Sequence, residues 1–529
     1  MEKNYPDLSV TAANTTMPAK QKLGVFLGML GLFIFILALC NVQLPFREIW
    51  LPVSILSIFS GIILFANNLY LNKPAGIHFN GIWFKSISSR GLLAWATGIL
   101  ITLLYIVLYW YPQYLGYDEK GNNTGMVSLF DPLSKLLNGK PASQWFVYGT
   151  LYTIALLGMG YKFILKYRHN KYQVVRTISV MFFQLGFAFL IPEILAKLNP
   201  DAPYYSKDLK NMWPLNYSFF HDWNMKAMID DGYLGLFVLG FGLAMIFIIS
   251  PILTYFYGKR WYCSWVCGCG GLAETAGDSF RHLSDKSTKA WKFERWSIHT
   301  VLVFVFIMTI AVIYSFLGKN PDYSIITRNQ FTYGIVVLTA LSAAALFFFK
   351  RKNMDKDAMF TMVSLAVIIV AIIIMNFTAG KENIFFIDNY ALQKWYGFFI
   401  ASIFSGVIGV GFYPIMGSRV WCRFGCPMAA ILGLQQRLFS RFRITTNGGQ
   451  CISCGNCSNA CEMGIDVRAY AQKGENIVRS SCVGCGICSA VCPRGVLKLE
   501  NGNDEGRING DAILLGNDVN LLNLLKERK

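Results

Sequence analysis

The chain carries 14 cysteines, and 13 of them fall into four short clusters. The densest reads Cys451-x-x-Cys454-x-x-Cys457-x-x-x-Cys461, followed by Cys482-x-x-Cys485-x-x-Cys488-x-x-x-Cys492-Pro493. Thiolates at this spacing wrap one chain segment around an iron–sulfur cube, and the fourth cysteine of each run serves the other cube. The expected sets are therefore Cys451, Cys454, Cys457 and Cys492 for one 4Fe–4S cluster, and Cys482, Cys485, Cys488 and Cys461 for its partner. Gly455, Gly484 and Gly486 let the backbone close in on the sulfurs. A structural zinc ion needs only four thiolates in a tetrahedron, which leaves two interleaved runs unexplained. One residue departs from the pattern: Cys461 is followed by Glu462 rather than proline.

A second signal is a repeated pair. Gly258-Lys259-Arg260-Trp261-Tyr262-Cys263-x-x-x-Cys267 and Gly417-Ser418-Arg419-Val420-Trp421-Cys422-x-x-x-Cys426 are offset by 159 residues at both cysteines. Spacing of i, i+4 puts both thiols of a pair on one face of a helical turn. Four thiolates meeting across a pseudo-two-fold axis could hold a third metal centre, either another iron–sulfur cluster or a soft ion such as copper(I). Otherwise they act as thiol redox pairs. Cys269 is a candidate extra ligand, whereas Cys40 reads as a small apolar residue within a span. The five histidines form no mid-span pair for haem, and no Walker motif is present.

The elements that must position these thiols are apolar. Hydrophobic residues make up 54% of the chain and charged residues 15%, with a mean hydropathy of +0.41, against about 25% charged in soluble domains. That excludes an ordinary soluble enzyme, a disordered chain and a secreted disulfide scaffold. Runs long enough to cross a bilayer occur at about 23–43, 50–71, 91–111, 146–165, 177–196, 233–256, 298–317, 331–349, 359–378 and 397–416. One set of flanking segments holds 21 Lys and Arg against 12 on the other. The richer side, with both termini and all four cysteine clusters, is therefore expected to be cytoplasmic, in a reducing compartment that favours metal ligation over disulfides. The net charge of +18 belongs to those loops and implies no nucleic-acid partner. The loops at about 112–145 and 197–232 could form a small cap on the outer face or sit as interfacial anchors, and anchoring through Trp145, Trp213, Phe219, Phe220 and Trp223 is the reading favoured. Glu193 is an acid near a span end, a candidate for proton or quinone work.

The fold expected is an all-α polytopic membrane protein of about ten transmembrane helices with a parallel internal repeat, plus a C-terminal α+β ferredoxin-like domain of the bacterial two-cluster type. Its expected parts are a disordered cytoplasmic start at 1–22, helices one to six across 23–256, a cysteine loop at 257–297 and helices seven to ten across 298–416. The second cysteine segment follows at 417–444, then the two-cluster domain at 445–500 and an amphipathic tail at 501–529.

Spans with paired Trp-Cys-x-x-x-Cys motifs at their ends and a two-cluster segment resemble the membrane polyferredoxin family, the 4Fe–4S binding membrane proteins that include NapH, NosR and CcoG. The likeness covers roughly 233–500, and departs where Cys267 is followed by Gly268 and not by proline. The resemblance implies a protein of the bacterial inner membrane that carries electrons between its clusters and a quinone pool or a respiratory partner protein. Such a protein is an electron-transfer component rather than an enzyme with bond chemistry of its own. The alternative it implies is copper handling during maturation of a respiratory oxidase or reductase.

Overall fold

The computed structural model describes residues 16–501 apart from 43–44, 74–75, 77, 209–211, 324–325, 351–355, 380–382 and 385–386, together with 514–515 and 519–520. The expected disordered start lies largely outside these residues, and the first helix begins at Ala19. The expected amphipathic tail also lies outside them, save for a short antiparallel pairing of Leu514–Leu515 with Val519–Asn520.

Among the described residues, seven helices are long and apolar enough to cross a membrane: Ala19–Leu39, Glu48–Tyr70, Leu92–Trp110, Lys171–Leu198, Tyr233–Tyr257, Thr288–Lys319 and Asn389–Gly411. The protein is thus mostly helical and multi-pass. The other three expected spans also fall on helices, Gln144–Lys166, Arg328–Lys350 and Lys356–Ala379. Of these, the last contributes only the shorter apolar stretch Val363–Met375 by the same measure. Three spans contain wide π-helical turns, at Phe183–Leu190, Met245–Ile249 and Gly397–Ile408. The first two lead into a proline, Pro192 or Pro251, whose missing N–H would break a regular α-helical ladder. The glycine-rich end of the Asn389–Gly411 span packs closely, since a Cβ on Gly411 would collide with Thr102 of the Leu92–Trp110 helix.

The loops differ from the anchoring role expected of them. Residues 112–145 fold into short helices, Gly125–Ser128 and Asp131–Asn138. Met126, Val127, Leu129 and Phe130 of this segment share a core with Ile34, Phe35, Leu108 and Phe146 from the spans. Trp213, Phe219 and Phe220 are likewise buried, against Val305 and Met308. Only Trp145 and Trp223 of the named aromatics remain exposed. Burying several large apolar side chains together gains more than placing each at an interface alone, so the loops form caps. Glu193 is half-buried and accepts a hydrogen bond from Asn138 Nδ2 of the cap at 2.6 Å.

The C-terminal segment is closed by one antiparallel ribbon, Arg443–Thr446 against Leu497–Glu500, with Arg443 opposite Glu500 and Thr446 opposite Leu497. The two cysteine runs lie between these strands, each opening a one-turn helix, Asn456–Asn459 and Ile487–Ala490. The ribbon brings the two runs side by side. Met463, Ile465, Val483 and Val496 pack with Trp421, Cys422 and Leu432 in one continuous core, so this domain and the span ends form a single packed unit.

Candidate iron–sulfur centres

Each cysteine run bends through glycines held at positive φ, Gly455 at 77°, Gly484 at 64° and Gly486 at 75°. An L-residue is strained there, and a side chain at Gly484 would also strike Arg260 and Phe442. These turns bring together the sulfurs that the spacing groups. Cys451, Cys454, Cys457 and Cys492 line one cavity, and Cys457 lies close enough to feel the charge of the other three. Cys488 lies with Cys482, Cys485 and Cys461, and also near Cys457 of the neighbouring set. Backbone N–H groups of Ser458, Met463, Ile465, Gly484 and Ile487 donate to the thiols of Cys457, Cys461, Cys482 and Cys485.

The two cages sit differently. Cys454 is exposed, and Ile452 beside it is 56% exposed. Cys482 and Cys488 are buried, and the carbonyls of their loop are clamped from outside the domain. Gln436 Nε2 donates to the Cys482 carbonyl at 2.9 Å, and Ser264 Oγ to that of Val483 at 2.8 Å. Tyr172 donates to Gly484 at 3.0 Å, and Gln173 to Cys485 at 2.9 Å.

The repeated pairs meet one another at the same level. Cys263, Cys422 and Cys426 are buried and Cys267 half-buried, and all four lie close enough to perturb each other electrostatically. Cys269 is exposed, but its thiol donates a hydrogen bond to the Cys267 sulfur, which draws the Cys267 thiol below its usual range. Cys40 lies far from these sites at the end of the first helix. No three cysteine sulfurs lie within 4.8 Å of one another among the described residues. A single tetrahedral ion with metal–sulfur bonds near 2.3 Å would hold its sulfurs about 3.8 Å apart. No three of these thiols are therefore gathered as tightly as one such ion would hold them.

The donor set fits iron on chemical grounds as well. Burial pushes the thiols of Cys263 and Cys485 up to about 12, and those of Cys457 and Cys461 up to about 11. Thiolates in such places need a bound cation to offset desolvation, and ligated iron supplies one.

Between the inner cage and the repeated pairs runs a buried chain of charges. Arg176 and Arg419 both bind the Glu274 carboxylate. Arg419 Nε also reaches Glu462 at 2.9 Å, and Glu462 in turn meets Arg281 at 2.8 Å. Arg281 continues to Asp278 at 2.8 Å, and Asp278 to Lys166 at 2.6 Å. Arg419 Nη1 approaches the Cys422 sulfur at 3.7 Å and the Cys263 carbonyl at 3.3 Å. Burial alone would raise the Glu462 carboxyl, but Arg281 and Arg419 hold it below the usual carboxylate range.

Comparison with known proteins adds to this geometry. The 4Fe–4S dicluster domain matches residues 450–497, and the 4Fe–4S binding domain matches twice, at 239–287 and 396–445. A protein of Escherichia coli (strain K12) named "Putative electron transport protein YccM" is 25% identical over 226 residues, 42% of this chain. These matches and the apolar helices fit a membrane 4Fe–4S electron-transport family. The chain spans 47% of that relative's length, and no solved structure matches it. The dicluster match encloses both ferredoxin-type runs, and the paired match encloses both Cys-x-x-x-Cys segments, so iron–sulfur clusters are the supported cofactors.

Sequence reasoning missed the charge chain. It counted Lys166, Arg176, Lys259 and Arg281 as loop charges that set orientation, yet each is at most 7% exposed. Two clues were present: Glu462 in place of proline, and Arg419 three residues before Cys422.

Proposed function

We propose that the protein is a relay in the bacterial inner membrane, passing single electrons between a cytoplasmic two-cluster domain at 445–500 and a quinone pool or respiratory partner. Cys451, Cys454, Cys457 and Cys492 hold the outer 4Fe–4S cluster, and Cys461, Cys482, Cys485 and Cys488 the inner one. Cys263, Cys267, Cys422 and Cys426 hold a third centre at the span ends. The clusters supply reversible one-electron chemistry when bound; the residues hold them in order and keep water out.

The observation that carries this reading is one shared core that joins cysteines of all three groups and leaves one of them open to solvent. Cys457, Cys482, Cys488, Cys263, Cys422 and Cys426 are buried in that core, while Cys454 of the outer set is exposed. Electrons can be exchanged with a soluble partner at the outer set and with the membrane at the span ends, with no bond made or broken in the protein.

An anaerobic two-step experiment tests the relay. A low-potential soluble donor should bleach the iron–sulfur absorbance, and a water-soluble quinone analogue should restore it. In a Cys263→Ser/Cys422→Ser variant the bleaching should persist while quinone reoxidation stalls. Reoxidation at the wild-type rate in that variant would sink the proposed role of the third centre.

A further inference from the structure

The outer cluster cage opens to solvent through one small face. Cys454 and Ile452 are exposed there, and Arg468, Pro493 and Arg494 share the lining of the same cavity. Arg468 and Pro493 are exposed and Arg494 is half-buried. Among the described residues no Asp or Glu lines this cavity. The carboxylate nearest Arg468 in sequence, Asp466, accepts a hydrogen bond from Ser458 Oγ at 2.7 Å. Neither Arg468 nor Arg494 makes an ion pair among the described residues, and Arg494 Nε is buried without a hydrogen-bond partner.

Both cations are tied to the cysteine runs. Arg468 sits in the first turn of the Val467–Lys473 helix, and its Nη1 lies 3.9 Å from where a Cβ on Gly455 would stand, beside Cys454. Arg494 follows Cys492-Pro493 of the second run. A cube held by four thiolates is itself an anion, and half-buried Arg494 is placed to offset it. Arg468 stands at the solvent edge, where an approaching protein feels its charge. Arginine beside an exposed apolar residue, here Ile452, is the composition of protein contact surfaces. Two anionic redox centres repel as they approach, and fixed cations at the contact remove that barrier and steer the encounter.

We propose that this face receives a small soluble electron-carrier protein whose redox centre is ringed by carboxylates. One electron passes from the reduced carrier to the oxidised outer cluster, with no bond made or broken. The inference rests on the outer cluster of the proposed relay and adds the charge of its partner; it does not depend on the third centre.

Anaerobic stopped-flow absorbance tests this on the holoprotein, with a small acidic 2Fe–2S ferredoxin as donor and reduced methyl viologen as the small-molecule control. The wild-type rate with ferredoxin should fall about tenfold between about 0.01 M and 0.15 M ionic strength, as screening shortens the reach of the charges. At low salt it should fall about tenfold in Arg468→Glu and stay near wild type in Arg468→Lys. The viologen rate should fall in neither variant. Variants count only with wild-type iron content, and the wild-type salt series needs no variant. A ferredoxin rate that is flat or rises with salt overturns the acidic partner, and an unchanged rate in Arg468→Glu overturns the site. Either failure leaves viologen bleaching intact, whereas bleaching by neither donor overturns the outer cluster as an entry point and the relay with it.

Discussion

The outer cluster cage and the span-end cysteines are built by opposite means. Cys451, Cys454 and Cys457 are gathered within seven residues by turns and backbone donors of their own segment, and only Cys492 comes from farther away. Cys263 and Cys422 belong to segments 159 residues apart, and what joins them is a buried network through Arg176, Glu274, Arg419 and Glu462. The first site can survive damage elsewhere in the chain. The second depends on each carboxylate and guanidinium between its halves, because a buried charge that loses its partner cannot be rehydrated. The inner cage stands between them, local in its ligands yet clamped by Gln436, Ser264, Tyr172 and Gln173.

The largest effect expected is at the inner cage. A Cys482→Ser/Cys485→Ser variant should lose about four irons per chain, since half of one cube's thiolates are gone. Ligation is part of the folding free energy, so limited proteolysis should cut between the strands of the closing ribbon. Retention of all iron would break the assignment of the two sets.

Next comes Glu274→Ala, which strands Arg176 and leaves Arg419 paired with Glu462 alone. Removing one partner of a buried ion pair costs about 3–5 kcal/mol, so the melting temperature should drop markedly. The outer-cluster signal should persist while the span-end cysteines become alkylatable. An equal loss of both would mean that the two regions are not built differently.

Acid sharpens the same contrast. Burial would raise the Asp278 carboxyl, but Lys166 and Arg281 hold it well below the usual carboxylate range. A depressed folded-state value gives stability that is present above the unfolded value of about 3.9 and lost as pH falls through the folded one. Below about pH 4 wild type should therefore lose stability. Asp278→Asn should start lower and show a shallower acid slope, read from melting curves across pH. An identical slope in both proteins would contradict the assignment.

The smallest effect belongs to the exposed side of the outer cage. Ile452→Ser should leave stability within about 0.5 kcal/mol of wild type, as surface changes do, while slowing reduction by a protein donor that docks there. A small chemical reductant should work at the wild-type rate.

How much of this was legible in the sequence follows from the same contrast. The grouping of the eight C-terminal cysteines is local, so their spacing already separated the sulfurs into the two sets that lie together. The helical character of the spans was legible from apolar runs. The caps at 112–145 and 197–232 were not, because isolated aromatics in a loop look alike whether they anchor to lipid or pack inward as Phe130 and Phe219 do. The charge chain was invisible for a different reason. Its members, Lys166, Arg176, Glu274, Asp278, Arg281, Arg419 and Glu462, come from five separated stretches; only Glu274, Asp278 and Arg281 share a helical spacing, so the fold alone pairs the stretches with one another.

The central claim, that the span-end cysteines hold a centre of their own beside two clusters, is tested most directly by iron and acid-labile sulfide per chain. The measurement would be made anaerobically with EPR, on wild type and on the Cys263→Ser/Cys267→Ser/Cys422→Ser/Cys426→Ser variant. The account predicts more than about eight irons in wild type, falling to about eight in the variant with the outer-cluster and inner-cluster signals intact. About eight irons in both proteins, with identical spectra, would contradict it.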